Sequence, residues 1–319
     1  MAKVVVTGKI PTVALDRLKA AHSVEAWESE EPISRDELLR RVVGADAIVS
    51  LLTEKVDSEL LDRAGKQLQV VSNVAVGYNN IDIAACQERK VKVTNTPGVL
   101  TDATADIAMA LILMSTRRLA EGERVIRAQQ PWQWGMFYML GTSIQGQRLG
   151  IVGMGQIGAA VARRARAFGM NIVYTKRTPL DVATAKEREA EHVQLDELLR
   201  TSDVVSLHCP YSTDTHHLMN AETLGMMKQS AYLINTARGP VIDEAALAVA
   251  LQQRTIAGAG LDVFEKEPAV HAALLGLDNA VLIPHLGSAT VETRTAMANL
   301  AVTNSLAVLG GASAPNQVG

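Results

Sequence analysis

Along the 319-residue chain, short β-branched and apolar runs alternate with stretches of helical periodicity. In the first third, runs at 4–7, 47–52, 68–76 and 91–95 have the length and composition of strands. Between them, Ser34-Arg35-Asp36-Glu37 has the form of a capping box that opens a helix at 37–43. Asp57 is placed to cap 58–63, and 81–89 reads as helix. Such alternation predicts a parallel, doubly wound sheet. Thr96-Pro97-Gly98 interrupts it and marks a boundary. One long helix is expected from 103 to about 128; it is apolar on most sides at 107–114 and so should be buried there. Pro131-Trp132-Gln133-Trp134 ends it, and the loop to Gly146 holds two of the three tryptophans. A loop of that length is either functional or a partner contact.

A second β/α series begins at Gln147. Strands are expected at 149–153, 171–175, 204–208, 231–235, 258–263 and 281–284, with Asp196 and Asp243 as helix caps and a last helix at 291–309. The first of these strands runs into Gly153-Met154-Gly155-Gln156-Ile157-Gly158, and a helical stretch follows. G-x-G-x-x-G between a strand and a helix is a dinucleotide-binding fingerprint. Gly153 allows the tight turn, Gly155 lets the backbone approach a pyrophosphate, and Gly158 lets helix and strand pack closely. The helix start offers free N–H groups to the phosphates. The expected organisation is a dinucleotide-binding Rossmann domain at 99–286 and a discontinuous substrate domain made of 1–98 and 287–319.

Composition narrows the class. Hydrophobic residues make up 48% of the chain but aromatics only 3%, so aliphatic side chains must fill the cores. The net charge is −3 with no basic block, which argues against nucleic acid or an anionic membrane as partner. The apolar stretch 107–114 is far too short to span a bilayer. Cys86 and Cys209 lack C-x-x-C spacing, so a reduced, cytoplasmic protein is expected. His22, His192, His216, His217 and His271 show no metal-ligand spacing, and no metal is expected.

Three residues that can carry chemistry follow strands of the second series: Arg238 in Asn235-Thr236-Ala237-Arg238-Gly239, Glu267 in Glu265-Lys266-Glu267-Pro268, and His285 in Pro284-His285-Leu286-Gly287. In a doubly wound sheet, ligands bind beyond the carboxyl ends of the strands. Singly, each is an ordinary surface or loop residue. Together they suit reduction of a 2-oxo acid. An Arg binds a carboxylate through two parallel hydrogen bonds. A His beside a carboxylate has its charged form stabilised and can give a proton near neutral pH.

With those residues in place, the chain resembles the D-isomer-specific 2-hydroxyacid dehydrogenase family over nearly its whole length. The matching stretches are Val76-Gly77-Tyr78-Asn79-Asn80-Ile81-Asp82, Thr96-Pro97-Gly98-Val99-Leu100-Thr101, the glycine fingerprint, Leu207-His208-Cys209-Pro210 with Thr215, Asn235 to Gly239, Gly260-Leu261-Asp262-Val263-Phe264, and Pro284 to Ala289. Gly98 to Asp106 resembles the glyoxylate/hydroxypyruvate reductase branch. The resemblance implies a flavodoxin-like substrate domain and a homodimer acting on a small 2-oxo or 2-hydroxy acid. It implies that Arg238 holds the substrate carboxylate, His285 is the acid/base, and Glu267 orients His285. Val76 and Gly77 would bind the carboxylate through backbone amides, with Leu52 and Trp134 also at the substrate, Trp134 from the partner subunit. Cofactor contacts are implied for Leu100, Thr104, Cys209, Pro210, Thr215, Thr236, Ala237, Asp262 and Gly287, with Asp262 at the nicotinamide carboxamide.

Charge at the end of the second strand distinguishes the two nicotinamide cofactors. NAD-specific sites place an acid at the end of the second strand, where it accepts the ribose hydroxyls and repels a 2′-phosphate. Here that strand runs into Lys176-Arg177-Thr178, with no acid before Asp181. NADP(H) is therefore expected over NAD(H), which stays open. The uncharged Val76 departs from the phosphite dehydrogenase branch, which has Lys there. Glu267 departs from formate dehydrogenases, which pair the His with Gln. Reductases of bulkier 2-keto acids, such as 2-ketogluconate or phenylpyruvate, and nucleotide-sensing co-repressors of the same fold remain as alternatives.

Overall fold

The computed structural model describes residues 1–318 and divides into two compact units, Met1–Leu100 with Thr290–Gly319, and Thr101–Ala289. The divisions fall after Leu100 rather than 98 and at Thr290 rather than 287. The second unit starts where the helix Thr101–Thr116 starts. Thr290 caps the last helix, accepting from the Thr293 N–H at 3.0 Å, and so belongs with it.

In the first unit, β1 (Lys3–Val6), β2 (Ser23–Ala26), β3 (Ala47–Ser50), β4 (Val70–Asn73) and β5 (Lys92–Thr94) form a parallel sheet in the order β2-β1-β3-β4-β5. This is the flavodoxin-like order. A two-residue strand, Gln317–Val318, adds antiparallel to β5. Val4, Val5, Val6, Ile48, Val49, Val70 and Val71 are fully buried. Helices cover both faces of such a sheet, which is why its strands are continuous apolar runs. The helix Val291–Leu309 packs on β3, β4 and the helix Thr12–Ala21. Its buried polar groups are matched: Ser305 donates to Ser72 Oγ at 2.8 Å and Asn304 to the Asn95 carbonyl at 3.1 Å.

The second unit contains β6 (Arg148–Val152), β7 (Asn171–Thr175), β8 (Ala190–His192), β9 (Val204–Leu207), β10 (Tyr232–Asn235), β11 (Gly258–Leu261) and β12 (Ala280–Leu282). All are parallel, in the order β8-β7-β6-β9-β10-β11-β12. This is the Rossmann order extended by one strand, with its switch point between β6 and β9. One core, around Leu111, Ile151 and Tyr174, covers one face; a second, around Leu198, Leu233 and Leu247, covers the other.

Several expectations are corrected. The helix expected from 103 to about 128 is two helices, Thr101–Thr116 and Leu119–Arg127. Arg118 adopts a left-handed backbone (φ 54°) between them, and its guanidinium chelates Glu121. No Gly or Pro announces this break. The capping box at Ser34 is only half formed. Ser34 accepts from the Glu37 N–H at 3.3 Å, while the Glu37 carboxylate turns to Arg40 and Arg41. Asp196 is not a cap; Gln194 holds that place and Asp196 lies in the first turn of its helix. β2, β8 and the helix Thr12–Ala21 escaped the sequence reading. β2 and β8 are short edge strands with polar residues, in which alternation is too brief to register.

Candidate active site

The fingerprint folds as its glycines require. Gly153 has φ 99°, and a Cβ there would lie 2.6 Å from the Cys209 nitrogen. At Gly158 a Cβ would lie 2.4 Å from the Gly153 carbonyl oxygen, so only glycine lets the helix Gln156–Ala167 approach β6 this closely. At Gly155 a Cβ would meet nothing within 4 Å. Gly155 is also the N-cap of that helix, with no side-chain cap. The N–H groups of Gln156, Ile157 and Gly158 have no acceptor among the described residues. An open approach at Gly155 together with uncapped donors on a twelve-residue helix fits a dinucleotide pyrophosphate. Met154 is fully buried, so only its backbone can take part.

Beyond the ends of β10, β11 and β12 lie Arg238, Glu267 and His285. The turn bearing Arg238 is built by Asn235, wholly buried at the end of β10. Its Oδ1 accepts the Ala237 N–H at 2.9 Å and its Nδ2 donates to the Arg238 carbonyl at 2.9 Å. Arg238 Nη1 donates to the Ala237 carbonyl at 2.7 Å. Burial pulls the guanidinium below its ordinary pKa, and Glu267 pushes it back up. Gly239 presses on the next turn: a Cβ there would lie 1.8 Å from the Phe264 carbonyl carbon.

His285 Nδ1 meets Glu267 Oε2 at 2.8 Å, and Glu267 Oε1 accepts the Phe264 N–H at 3.0 Å. Burial pushes the Glu267 carboxyl upward. The bonds from His285 and Phe264 and the charge of Arg238 outweigh it, leaving Glu267 below the usual carboxylate range. His285 has φ 51°, a left-handed backbone that costs about 1–2 kcal/mol for a side-chain-bearing residue. The adjoining loop holds it there. The His285 N–H donates to the Asp262 carbonyl at 2.8 Å, and the Asp262 carboxylate accepts the N–H groups of Leu286 at 2.5 Å and Gly287 at 2.9 Å. Burial raises the pKa of Asp262. Both its oxygens are thus occupied in shaping the loop that presents His285. Thr104 joins the same loop, donating to the Gly287 carbonyl at 3.0 Å.

In the first unit, the run expected as strand to 76 leaves the sheet at Asn73. Asn73 Nδ2 donates to the Gly77 carbonyl at 2.9 Å and Asn95 Nδ2 to the Val76 carbonyl at 2.8 Å. The Val76 and Gly77 N–H groups have no acceptor among the described residues, so the loop presents paired donors suited to an anion. Leu52 lies in the half-buried turn after β3, and Leu100 is buried at the end of this unit.

A family model, that of the D-isomer specific 2-hydroxyacid dehydrogenase NAD binding domain, matches residues 109–287. The chain belongs to that family. A glyoxylate reductase of Thermococcus onnurineus is 46% identical over 321 residues, covering 99% of this chain and 95% of that one. A solved protein structure from Thermus thermophilus superposes with a TM-score of 0.92 at 45% identity, covering 99% of this chain and 100% of that one. An NADPH-dependent glyoxylate/hydroxypyruvate reductase of Sinorhizobium meliloti, solved with NADP and malonate, matches with a TM-score of 0.85 at 35% identity, over 99% and 96% of the two chains. This 2-hydroxyacid dehydrogenase falls with the glyoxylate reductases, acts on 2-oxo acids and uses a nicotinamide cofactor. No helix among its described residues is long and apolar enough to cross a membrane.

The other expected cofactor residues of the dehydrogenase lie at strand ends. Lys176, Arg177 and Thr178 follow β7, and their side chains have no partner among the described residues. Thr215 donates to the Pro210 carbonyl at 2.8 Å. Burial pushes the Cys209 thiol up to about 11, which keeps it an unreactive thiol at neutral pH. Thr236 Oγ1 lies 3.3 Å from His208 Nδ1, and His208 Nε2 lies 2.8 Å from Ser206 Oγ. Ala237 is buried. Trp134 is 75% exposed. Asn235, Asn73, Asn95 and His208, which aim these groups, were not expected to do so from the sequence. Only the asparagines at strand ends carried a signal, as side chains that bond to nearby backbone in turns.

Proposed function

We propose that this enzyme reduces glyoxylate and hydroxypyruvate to D-2-hydroxy acids with NADPH. The observation that carries the reading is the His285–Glu267 pair at 2.8 Å beside Arg238, on the same carboxyl-end side of the parallel sheet as an uncapped dinucleotide fingerprint. When bound, the reduced nicotinamide supplies the hydride. His285 donates a proton from Nε2 to the carbonyl oxygen, since Nδ1 is committed to Glu267. The Glu267 carboxylate stabilises the imidazolium and fixes its orientation. Arg238 and the Val76 and Gly77 amides hold the substrate carboxylate, with Leu52 as an apolar wall.

On the cofactor side, Leu100, Thr104 and Asp262 serve the nicotinamide end, Cys209, Pro210 and Thr215 the adenosine end, and Thr236, Ala237 and Gly287 the backbone between. Lys176, Arg177 and Thr178, unpaired and with no acid beside them, suit a 2′-phosphate and support NADPH over NADH. Free thiols at Cys86 and Cys209 fit the reducing cytoplasm. A homodimer is supported by the amphipathic helix Leu119–Arg127, which buries no residue, and by exposed Trp132, Trp134, Phe137 and Leu140 after it. In that dimer Trp134 reaches the partner's substrate. The test is NADPH and NADH oxidation with glyoxylate, hydroxypyruvate, pyruvate and 2-ketogluconate. Fast NADPH-dependent turnover of the first two supports the reading. Preference for 2-ketogluconate, or for NADH, overturns the corresponding part. Tight NADPH binding without turnover would point to a sensor.

A further inference from the structure

The catalytic pair leaves a second imidazole–carboxylate pair on the same turn unexplained. His217 Nε2 meets Glu265 Oε1 at 2.7 Å, two residues before Glu267. Glu265 is itself locked to Glu244: its N–H donates to Glu244 Oε1 at 2.7 Å, and its Oε2 accepts the Glu244 N–H at 3.1 Å.

The backbone of His217 faces a different element. Its N–H donates to the Pro240 carbonyl at 2.9 Å, and Met219 continues the pairing with a parallel bridge to Ile242. The carbonyl of His217 accepts from Asn220 Nδ2 at 3.1 Å, and the residue has a left-handed backbone, φ 49°. The residue is thus pinned by its backbone to the segment that leaves Arg238. Its ring, stacked on His216 at 4.0 Å, reaches across to the turn that carries Glu267. That turn has no slack on its other side, because Gly239 already touches Phe264.

We propose that His217 is a positioning residue for the reaction: fixed beside Pro240, it holds Glu265 and so sets the turn that aims Glu267 at His285. This rests on the reading of Glu267 and His285 as the acid/base pair.

Two variants separate positioning from mere structure. Among residues with a side chain, Asn is one of those that best tolerate a left-handed backbone, so His217→Asn should fold, but its amide ends near the place of Nδ1 and falls short of Glu265. His217→Gln puts an N–H donor near the place of Nε2 and restores the contact. The first readout is carboxyl 13C NMR of Glu267 against pH on the cofactor-free protein. The second is kcat with KM for NADPH. In His217→Asn the Glu267 titration should move up toward the ordinary carboxylate range. There kcat should fall about tenfold, a part of the ~100-fold that a 1 Å misplacement costs, with KM for NADPH within about twofold. His217→Gln should restore both. An unmoved Glu267 titration, an unchanged kcat in His217→Asn, or a Gln variant no better than Asn would overturn the proposal. Absence of turnover in the unaltered enzyme would instead sink the functional reading, and the NMR comparison would then decide the positioning role alone.

Discussion

Lowering the pH from 7 to 5 should destabilise the nucleotide-binding unit through His208. This ring joins the ends of β9 and β10, with Ser206 Oγ 2.8 Å from Nε2 and Thr236 Oγ1 3.3 Å from Nδ1. Burial pulls its pKa down to about 4, from 6.5 in the unfolded chain. Between those values the unfolded chain holds a proton that the folded chain refuses. The stability is therefore fully present above 6.5 and is lost as pH falls from 6.5 toward 4. Integrated from pH 7 to pH 5, the loss is about 1.8 kcal/mol, or about 1–1.5 kcal/mol after allowing for the partial exposure of the residue as a whole. His208→Gln keeps a hydrogen-bonding side chain and removes the titration. Urea unfolding at both pH values isolates the effect, because the carboxylates shared by the two proteins cancel. The unaltered protein should lose about 1–1.5 kcal/mol more than the variant on acidification. Equal losses would mean that His208 does not carry this proton linkage.

Other outcomes follow from the same geometry. Arg177→Ala should raise KM for NADPH by about tenfold or more, the worth of one charged hydrogen bond, and leave KM for NADH within about twofold; equal effects would remove the 2′-phosphate assignment. Gly155→Ala should leave the melting temperature in place and weaken NADPH binding at least about tenfold, because the added methyl enters open space where the pyrophosphate must come. Gly158→Ala should instead cost about 1–3 kcal/mol of stability, since its methyl would lie 2.4 Å from the Gly153 oxygen. Similar effects of the two alanines would contradict their distinct roles. Glu267→Gln should lower kcat about a hundredfold. It should also flatten the acid side of the stability profile: the depressed Glu267 pKa contributes stability above the ordinary carboxylate value that is lost as pH falls through the folded one, and Gln has nothing to protonate.

Much of the molecule was legible because its signals are local. The parallel strands are buried on both faces and so appear as apolar runs, as in 4–6 and 149–152. The glycines of the fingerprint are dictated by close approach and by a left-handed φ, which any reader of the sequence meets as G-x-G-x-x-G. The break at Arg118 was hidden because both sides of it have helical periodicity and the left-handed residue is an arginine. The polar residues that aim the site were less visible. Asn73 and Asn95 lie within or beside apolar strands and act on carbonyls 4 and 19 residues away. His217 reaches Glu265, 48 residues off, and only the fold brings them together. Asp262, expected at the cofactor, has both carboxylate oxygens bonded to the loop of His285, a role its place after β11 could not reveal.

In the proposed mechanism His285, held by Glu267, gives the proton that completes reduction of a 2-oxo acid. The most direct measurement is NADPH oxidation with glyoxylate by the unaltered enzyme and by His285→Ala, alongside NADPH binding by fluorescence. Brisk turnover is expected in the first, a loss of about 10²–10⁴-fold in kcat in the second, and similar NADPH affinity in both. A variant that keeps turnover within a fewfold of the unaltered enzyme would contradict that mechanism.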